Sequence, residues 1–245
     1  MNSQATLQTA LNHRSIRKFT EQAISKELLN TLIQAGQMAS TSSYLQNISI
    51  IRVTDKTKRA HIREVCVGNG KGGHHYVENC AEFLVFCIDA TRHLHFVPDA
   101  QIDWTEVLLI GAVDAGIMAQ NVLLTAESLG LGGVFIGSLR NNLNRIAEIL
   151  EVPYGVVPMV GMCLGYPNQE VGQRPRLPID LIMSENRFQA ADKDALNAFN
   201  NVVKDYYQQR SQLDLSWQEQ IRNNLGGEVR PDILAFLQKQ GFAKR

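Results

Sequence analysis

Apolar and polar positions alternate along the chain in blocks that predict mixed helices and strands. From Ser25 to about residue 38, Leu28, Leu29, Leu32, Ile33 and Ala35 recur at helical spacing, and Ser25 is placed to cap the start. Residues 47–55, NISIIRVTD, have the β-branched enrichment of a strand. Residues 56–66 are polar and helix-like, and residues 83–88, FLVFCI, read as a strand buried on both faces. Residues 104–129 form the longest helical candidate, apolar on nearly every side, which predicts burial all round. Its small residues Gly111, Ala112, Ala115, Gly116 and Ala119 leave room for another helix, from this chain or from a partner. A short strand at 134–136, a helix at 144–150 and an apolar strand at 156–164 follow.

Beyond residue 190 the pattern changes. The helical stretches 192–209, 217–224 and 231–240 carry little apolar face, so this tail must pack on the main body or on a second subunit. The division expected is a core over residues 1–189 and a helical extension over 190–245, intertwined as one domain. Helices and strands mix without regular βαβ alternation, which gives an α+β class with one sheet covered by helices.

Composition narrows the function classes. The 245 residues are 44% hydrophobic and 20% charged, which is globular rather than disordered. Lys plus Arg and Asp plus Glu are 24 each, so the positive field that a nucleic-acid partner needs is missing. The first ten residues have neither a basic nor an apolar leader segment, so no secretory signal is expected. Residues 107–124 are interrupted by Asp114, Gln120 and Asn121 and are not expected to span a bilayer. The four cysteines form no CxxC pair, and Cys87 and Cys163 sit in apolar runs. That suits buried thiols in a reducing cytoplasm.

Several motifs are candidates for chemistry. Gly68, Gly70 and Gly73 spell GxGxxG, but a charged helix-like segment precedes them where a dinucleotide fingerprint needs a strand. A surface loop is the preferred reading, and Lys71 lacks the spacing of a P-loop. His93 and His95 would face one side of a strand, yet no third ligand accompanies them, so no metal site is expected. Two basic clusters remain: His13, Arg14, Ser15, Arg17 and Lys18, then Arg174 and Arg176. They suit either one small phosphate or two solvated patches. Prolines flank Arg176 and hold its backbone extended.

HRSIRKF at 13–19, STSSYLQ at 40–46, GLGGVFIGSLRNN at 130–142 and RPRLP at 174–178 occur in order. With AESLGLGG after the long helix and RPDILAFLQKQGFAKR at the end, the chain resembles the FMN-dependent nitroreductase family. The likeness is greatest to its oxygen-insensitive NADPH nitroreductases and NADPH–flavin oxidoreductases.

The resemblance implies an α+β homodimer holding FMN at its interface. A mainly antiparallel sheet would be flanked by helices, the long helix would lie between subunits, and the tail would wrap onto the partner. It assigns His13, Arg14, Ser15, Arg17, Arg174 and Arg176 to the FMN phosphate and ribityl chain. Thr41 and Ser43 would meet the flavin from the partner subunit, and Phe135, Ile136, Gly137 and Ser138 would run along the ring. Tyr44 would stand over the substrate pocket, and Arg140, Arg210 and Arg230 would receive anionic parts of NADPH or substrate. Arg230 precedes Pro231, which predicts an extended backbone there.

There are departures from the family pattern. His74 stands where relatives carry a flavin-side glutamine, in a longer Gly-rich loop. Ser138 falls at a variable position, and SQLDLS after Arg210 is short and free of arginine. The activity implied is two-electron, ping-pong reduction of nitroaromatics, quinones or flavins by NADPH, with NADH as an alternative donor and no obligatory catalytic side chain. The alternatives are a reductase that supplies reduced flavin to a partner or reduces another endogenous acceptor, and a flavin-binding protein without turnover.

Overall fold

The computed structural model describes residues 4–68 and 72–245. They divide into two compact units, one from Met1–Val171 and Asp232–Arg245, the other from Gly172–Pro231.

In the first unit the strands are β1 (Ile48–Arg52), β2 (Glu82–Asp89), β3 (Gly132–Ile136) and β4 (Val156–Gly165). They form an antiparallel sheet in the order β1-β2-β4-β3. Every residue of β2 is buried. Its side chains alternate between two hydrophobic clusters, as the two-residue period of a strand requires. Phe83, Val85 and Cys87 join one, and Leu84 and Phe86 the other. Pro158 has no N–H for the ladder, and β4 shifts register against β2 between Phe86 and Cys87, opposite that proline.

The helices follow local signals closely. A short helix α1 (Gln4–Leu11), which the apolar pattern did not predict, buries no residue. Helix α2 (Lys26–Gln37) starts where Ser25 accepts from the Leu28 N–H at 3.1 Å. Helix α3 (Lys56–Val67) is capped by Asp55, and two short helices follow, α4 (Tyr76–Asn79) and α5 (Thr91–Phe96). Helix α6 (Thr105–Ser128) packs on α2 and the sheet, and α7 (Leu143–Leu150) is capped by Asn142. In the second unit, α8 (Lys193–Ser211) and α9 (Trp217–Leu225) share a small cluster of Phe199, Val203 and Tyr207. Trp217 meets Phe199 edge to face at 5.3 Å. Helix α10 (Ile233–Lys239) belongs to the first unit.

The structure corrects several expectations. Helix α6 is not buried all round in the single chain: Leu109, Val113 and Ile117, four residues apart, are 54%, 56% and 42% exposed. An apolar sequence reports that a face is meant to be covered, not by which chain. Helix α6 is also long and apolar enough to cross a membrane by length and composition, despite Asp114, Gln120 and Asn121, though here its other face packs in the core. His93 and His95 lie on helix α5 rather than a strand, so a two-residue spacing separates them instead of aligning them. His93 Nε2 lies 2.7 Å from the Leu45 carbonyl. Of the Gly-rich segment, Gly70 and Lys71 lie outside the described residues. A helix precedes it, as the loop reading expects.

Arg59, in a stretch that reads as polar, is 6% exposed. Its guanidinium donates to the carbonyls of Val53 and Cys80 at 2.7 Å each and of Ala81 at 3.3 Å, which satisfies the buried charge with backbone oxygens.

Candidate functional site

The segment after α1 lies against the sheet edge beside β3. Ser15 bridges Gly133 in parallel, and the Ile16 N–H donates to the Gly133 carbonyl at 2.9 Å. A few residues on, Phe19 bridges Pro167, just beyond β4. This fixes the backbone from which Arg14 and Arg17 project. Arg14 lines a small pocket of about 360 Å³ with Glu127 and Gly132. Arg17 is exposed, and its positive charge acts on the Tyr76 phenol.

At the other end of β3, His74 Nε2 lies 3.2 Å from Ser138 Oγ, and its ring stands 5.4 Å from that of Tyr76. His74 has φ 54°, a left-handed conformation that costs a non-glycine residue energy and that the Gly-rich surroundings tolerate. Burial, then the positive charges of Arg17 and Arg63, lower the His74 pKa from its ordinary value, which favours a neutral imidazole. Burial raises the Tyr76 phenol against the opposing pull of Arg17. Between the two ends, Ile136 is buried while Phe135 is 36% exposed in a strand that is otherwise buried. Arg17, His74, Tyr76 and Ser138 thus form one linked cluster, on the unit that also carries the open Phe135 ring.

His13 takes a different partner: its Nδ1 lies 2.6 Å from Oε1 of Glu127, in the last turn of α6. Arg140 turns inward and donates to the Met159 carbonyl at 2.5 Å. A side chain built at Gly137 would come within 3.2 Å of its guanidinium, so Gly137 allows that approach.

Thr41 belongs to a separate group. Its hydroxyl donates to Asp114 at 2.7 Å, and the Ser42 N–H reaches both Asp114 oxygens at 3.2 Å. Ser43, Tyr44 and Gln46 have φ of 49°, 57° and 50°, three left-handed residues among four that Asp114 anchors from below. Tyr44 is 80% exposed. Thr41, Asn47, His93 and Asp114 also line a largely apolar cleft of about 640 Å³.

The remaining predicted cations lie in the second unit. Arg174 stands 5.7 Å over the Tyr207 ring, and Arg210 stands 5.7 Å over Tyr206 and donates to its hydroxyl at 3.0 Å. Arg176 is exposed. Arg230 has φ 52°, not the extended backbone expected before Pro231. Proline pushes its predecessor toward extended backbone, so the left-handed Arg230 departs from the local preference.

Sequence reasoning missed Tyr76, Asp114 and Glu127. Asp114 left a signal, a lone acid inside an apolar helix, that was read only as an interruption of hydrophobicity. Tyr76 and Glu127 acquire their relevance only through residues far away in the chain. Among the described residues, no group of three or more His, Cys, Asp or Glu side chains could hold a metal ion.

Residues 10–73 and 107–166 match the description "Nitroreductase family", and residues 174–245 match "Nitroreductase family, C-terminal domain". The chain is 48% identical to the NADPH-flavin oxidoreductase of Vibrio harveyi, over 98% of this chain and 99% of that one. It is 42% identical to the oxygen-insensitive NADPH nitroreductase of Salmonella typhimurium over the same shares. Among solved structures, nitroreductase A from Vibrio parahaemolyticus superposes with a TM-score of 0.92 at 49% identity, covering 100% of both chains. The NADPH:FMN oxidoreductase of Vibrio harveyi complexed with NAD+ superposes at 0.91 with 47% identity, covering 98% of this chain and 100% of that one.

Proposed function

The chain belongs to the nitroreductase family, and from that premise we propose that it is an NADPH-dependent flavin oxidoreductase that holds FMN beside β3. The observation that carries this reading is the cluster at the end of β3 in which His74 lies 3.2 Å from Ser138 and stands against the Tyr76 ring, with the Arg17 charge acting on both. The donor set fits the group. A flavin mononucleotide needs cations and hydroxyls at its phosphate and ribityl end, and a flat apolar contact with nearby donors at its ring. Arg14, Ser15 and Arg17 supply the first, and Phe135, Gly137, Ser138 and His74 the second. Bound FMN supplies two-electron hydride chemistry between a reduced nicotinamide and an acceptor.

The protein's residues bind and orient. The cations offset phosphate charge, and the backbone at Ile136 and Gly137 offers donors along the ring edge. Arg210 and Arg230 offer charge to anionic parts of NADPH or substrate, whereas Arg140 is committed to the Met159 carbonyl; in the first unit Tyr44 stands exposed for a substrate. In this reading the active unit is a homodimer in which Thr41 and Ser43 face the partner's flavin. The open apolar stripe of α6 and the strained loop above Asp114 support that arrangement. The four free buried thiols support a cytoplasmic setting. The acceptors are small molecules: nitroaromatics, quinones or free flavin.

Purified protein tests this directly. Flavin released by heat should be FMN by mass, one per chain, and anaerobic NADPH should bleach it in one two-electron step that a nitroaromatic or a quinone reverses. Release of mainly FAD, or a flavin indifferent to both NADPH and NADH, would overturn the reading.

A further inference from the structure

Glu127 sits badly by every local rule. It lies in the last turn of α6, where the helix dipole disfavours a negative charge. Its side chain is only 11% exposed. One oxygen, Oε1, meets His13 Nδ1 at 2.6 Å, while the other, Oε2, is buried with no hydrogen-bond partner among the described residues. Burial raises its carboxyl pKa, and His13 only partly offsets this. A half-satisfied carboxylate at the wrong end of a helix is a standing cost to stability, so its retention asks for a role outside stability.

The pair has the form of a carboxylate that orients a histidine. A carboxylate at Nδ1 accepts from a proton there and a phosphate at Nε2 accepts from a second one, so the pair acts through the doubly protonated ring, whose plane Glu127 fixes and whose Nε2–H it turns the opposite way. His13 is two residues before Ser15, whose backbone is bridged to Gly133, and its ring is held by Glu127. We propose that Glu127 is a positioning residue for the anion site: by binding His13 Nδ1 it presents the other imidazole nitrogen to the phosphate of FMN. The inference rests on the reading of His13 as a phosphate ligand.

The test is equilibrium binding of FMN and of riboflavin, which lacks the phosphate, to flavin-free protein, followed by flavin fluorescence. Wild type should bind FMN more tightly than riboflavin. Glu127→Ala should weaken FMN about tenfold, as for loss of one charge-assisted contact, and leave riboflavin within about threefold. Glu127→Gln keeps an acceptor at Nδ1 and should keep FMN within about threefold of wild type. With His13 already replaced by Ala, Glu127→Ala should cost FMN nothing further. Nitrogen-15 correlation spectra of the FMN-bound wild-type protein should show His13 protonated at both ring nitrogens.

Equal losses of FMN and riboflavin in Glu127→Ala would reduce Glu127 to a structural role and overturn the proposal. So would additive effects of the two alanine variants, or a His13 unprotonated at either ring nitrogen in the FMN-bound protein. The underlying reading fails separately: if His13→Ala alone leaves FMN affinity unchanged, His13 is not a phosphate ligand, and the inference falls with it.

Discussion

The Thr41 hydroxyl donates to the Asp114 carboxylate over 2.7 Å, joining a loop of small residues to the middle of the longest helix. Asp114 is 3% exposed, and the Ser42 N–H shares its two oxygens. A buried acid is thus bonded to groups that local propensity leaves unfixed. Thr41 in turn accepts from the Gln46 N–H at 3.0 Å, so the left-handed Ser43, Tyr44 and Gln46 lie in a loop tied to Asp114 through Thr41 and Ser42.

Replacing Asp114 by Ala should therefore unfasten that loop as well as weaken the core. Losing hydrogen bonds to a buried charge costs about 2–3 kcal/mol, which for a chain of this size lowers Tm by roughly 4–12 °C at fixed protein concentration. Hydrogen exchange should accelerate at residues 42–46 before it does in β2. Unchanged protection of those residues would mean that the loop is held by something else.

Gly133 is the hinge between the N-terminal segment and the sheet. A Cβ there would fall 2.6 Å from the Cys163 carbonyl and 2.9 Å from Leu123 and Leu164, so β3 and β4 would have to part. Gly133→Ala is expected to destabilise by about 1–3 kcal/mol through overpacking. Its carbonyl also holds the Ile16 N–H, so retained flavin should fall in the purified variant. Wild-type flavin content together with wild-type Tm would show that the strands absorb the methyl group.

Acid stability should depend on Asp89. Burial alone would raise its carboxyl pKa, but hydrogen bonds from Ser49 and Thr91 outweigh it, and the group ends below its ordinary value of 3.8. A carboxyl depressed in the folded state binds fewer protons than in the unfolded chain. Its stabilisation is therefore full above the ordinary value and is lost as pH falls through the depressed one. Asp89→Asn should lower stability at neutral pH by about 1–3 kcal/mol. The gap from wild type should close as pH falls below 3.8. Urea midpoints measured across that range are the check, and a gap independent of pH would refute the assignment.

The α6 stripe makes a prediction about assembly. Val113 is 56% exposed in the single chain and lies between Leu109 and Ile117. If a second copy covers it, Val113→Asp places an unpaired charge in the interface, at a cost of several kcal/mol. Light scattering should then report the wild type at twice the mass of the variant, with helical content preserved. Two equal masses would separate the stripe from the interface.

What the sequence determined by itself was everything that a few neighbouring residues decide. Ser25 caps the helix that follows it, as the sequence reads, because a cap needs only a side-chain oxygen and the N–H groups of the next turn; Asp55 and Asn142 cap in the same way, which only the structure showed. The apolar run of β2 announced burial on both faces. The basic clusters and glycine turns carried the family likeness. The tertiary structure decided the pairings across the chain. His74 meets Ser138 across 64 positions, Thr41 meets Asp114 across 73, and His13 meets Glu127 across 114. It also buried Arg59 among backbone carbonyls and left one face of α6 open. Propensity and hydrophobic period extend over one or two turns. A hydrogen bond between distant residues exists only after the sheet and α6 have brought the two backbones within reach, and no local pattern encodes that distance.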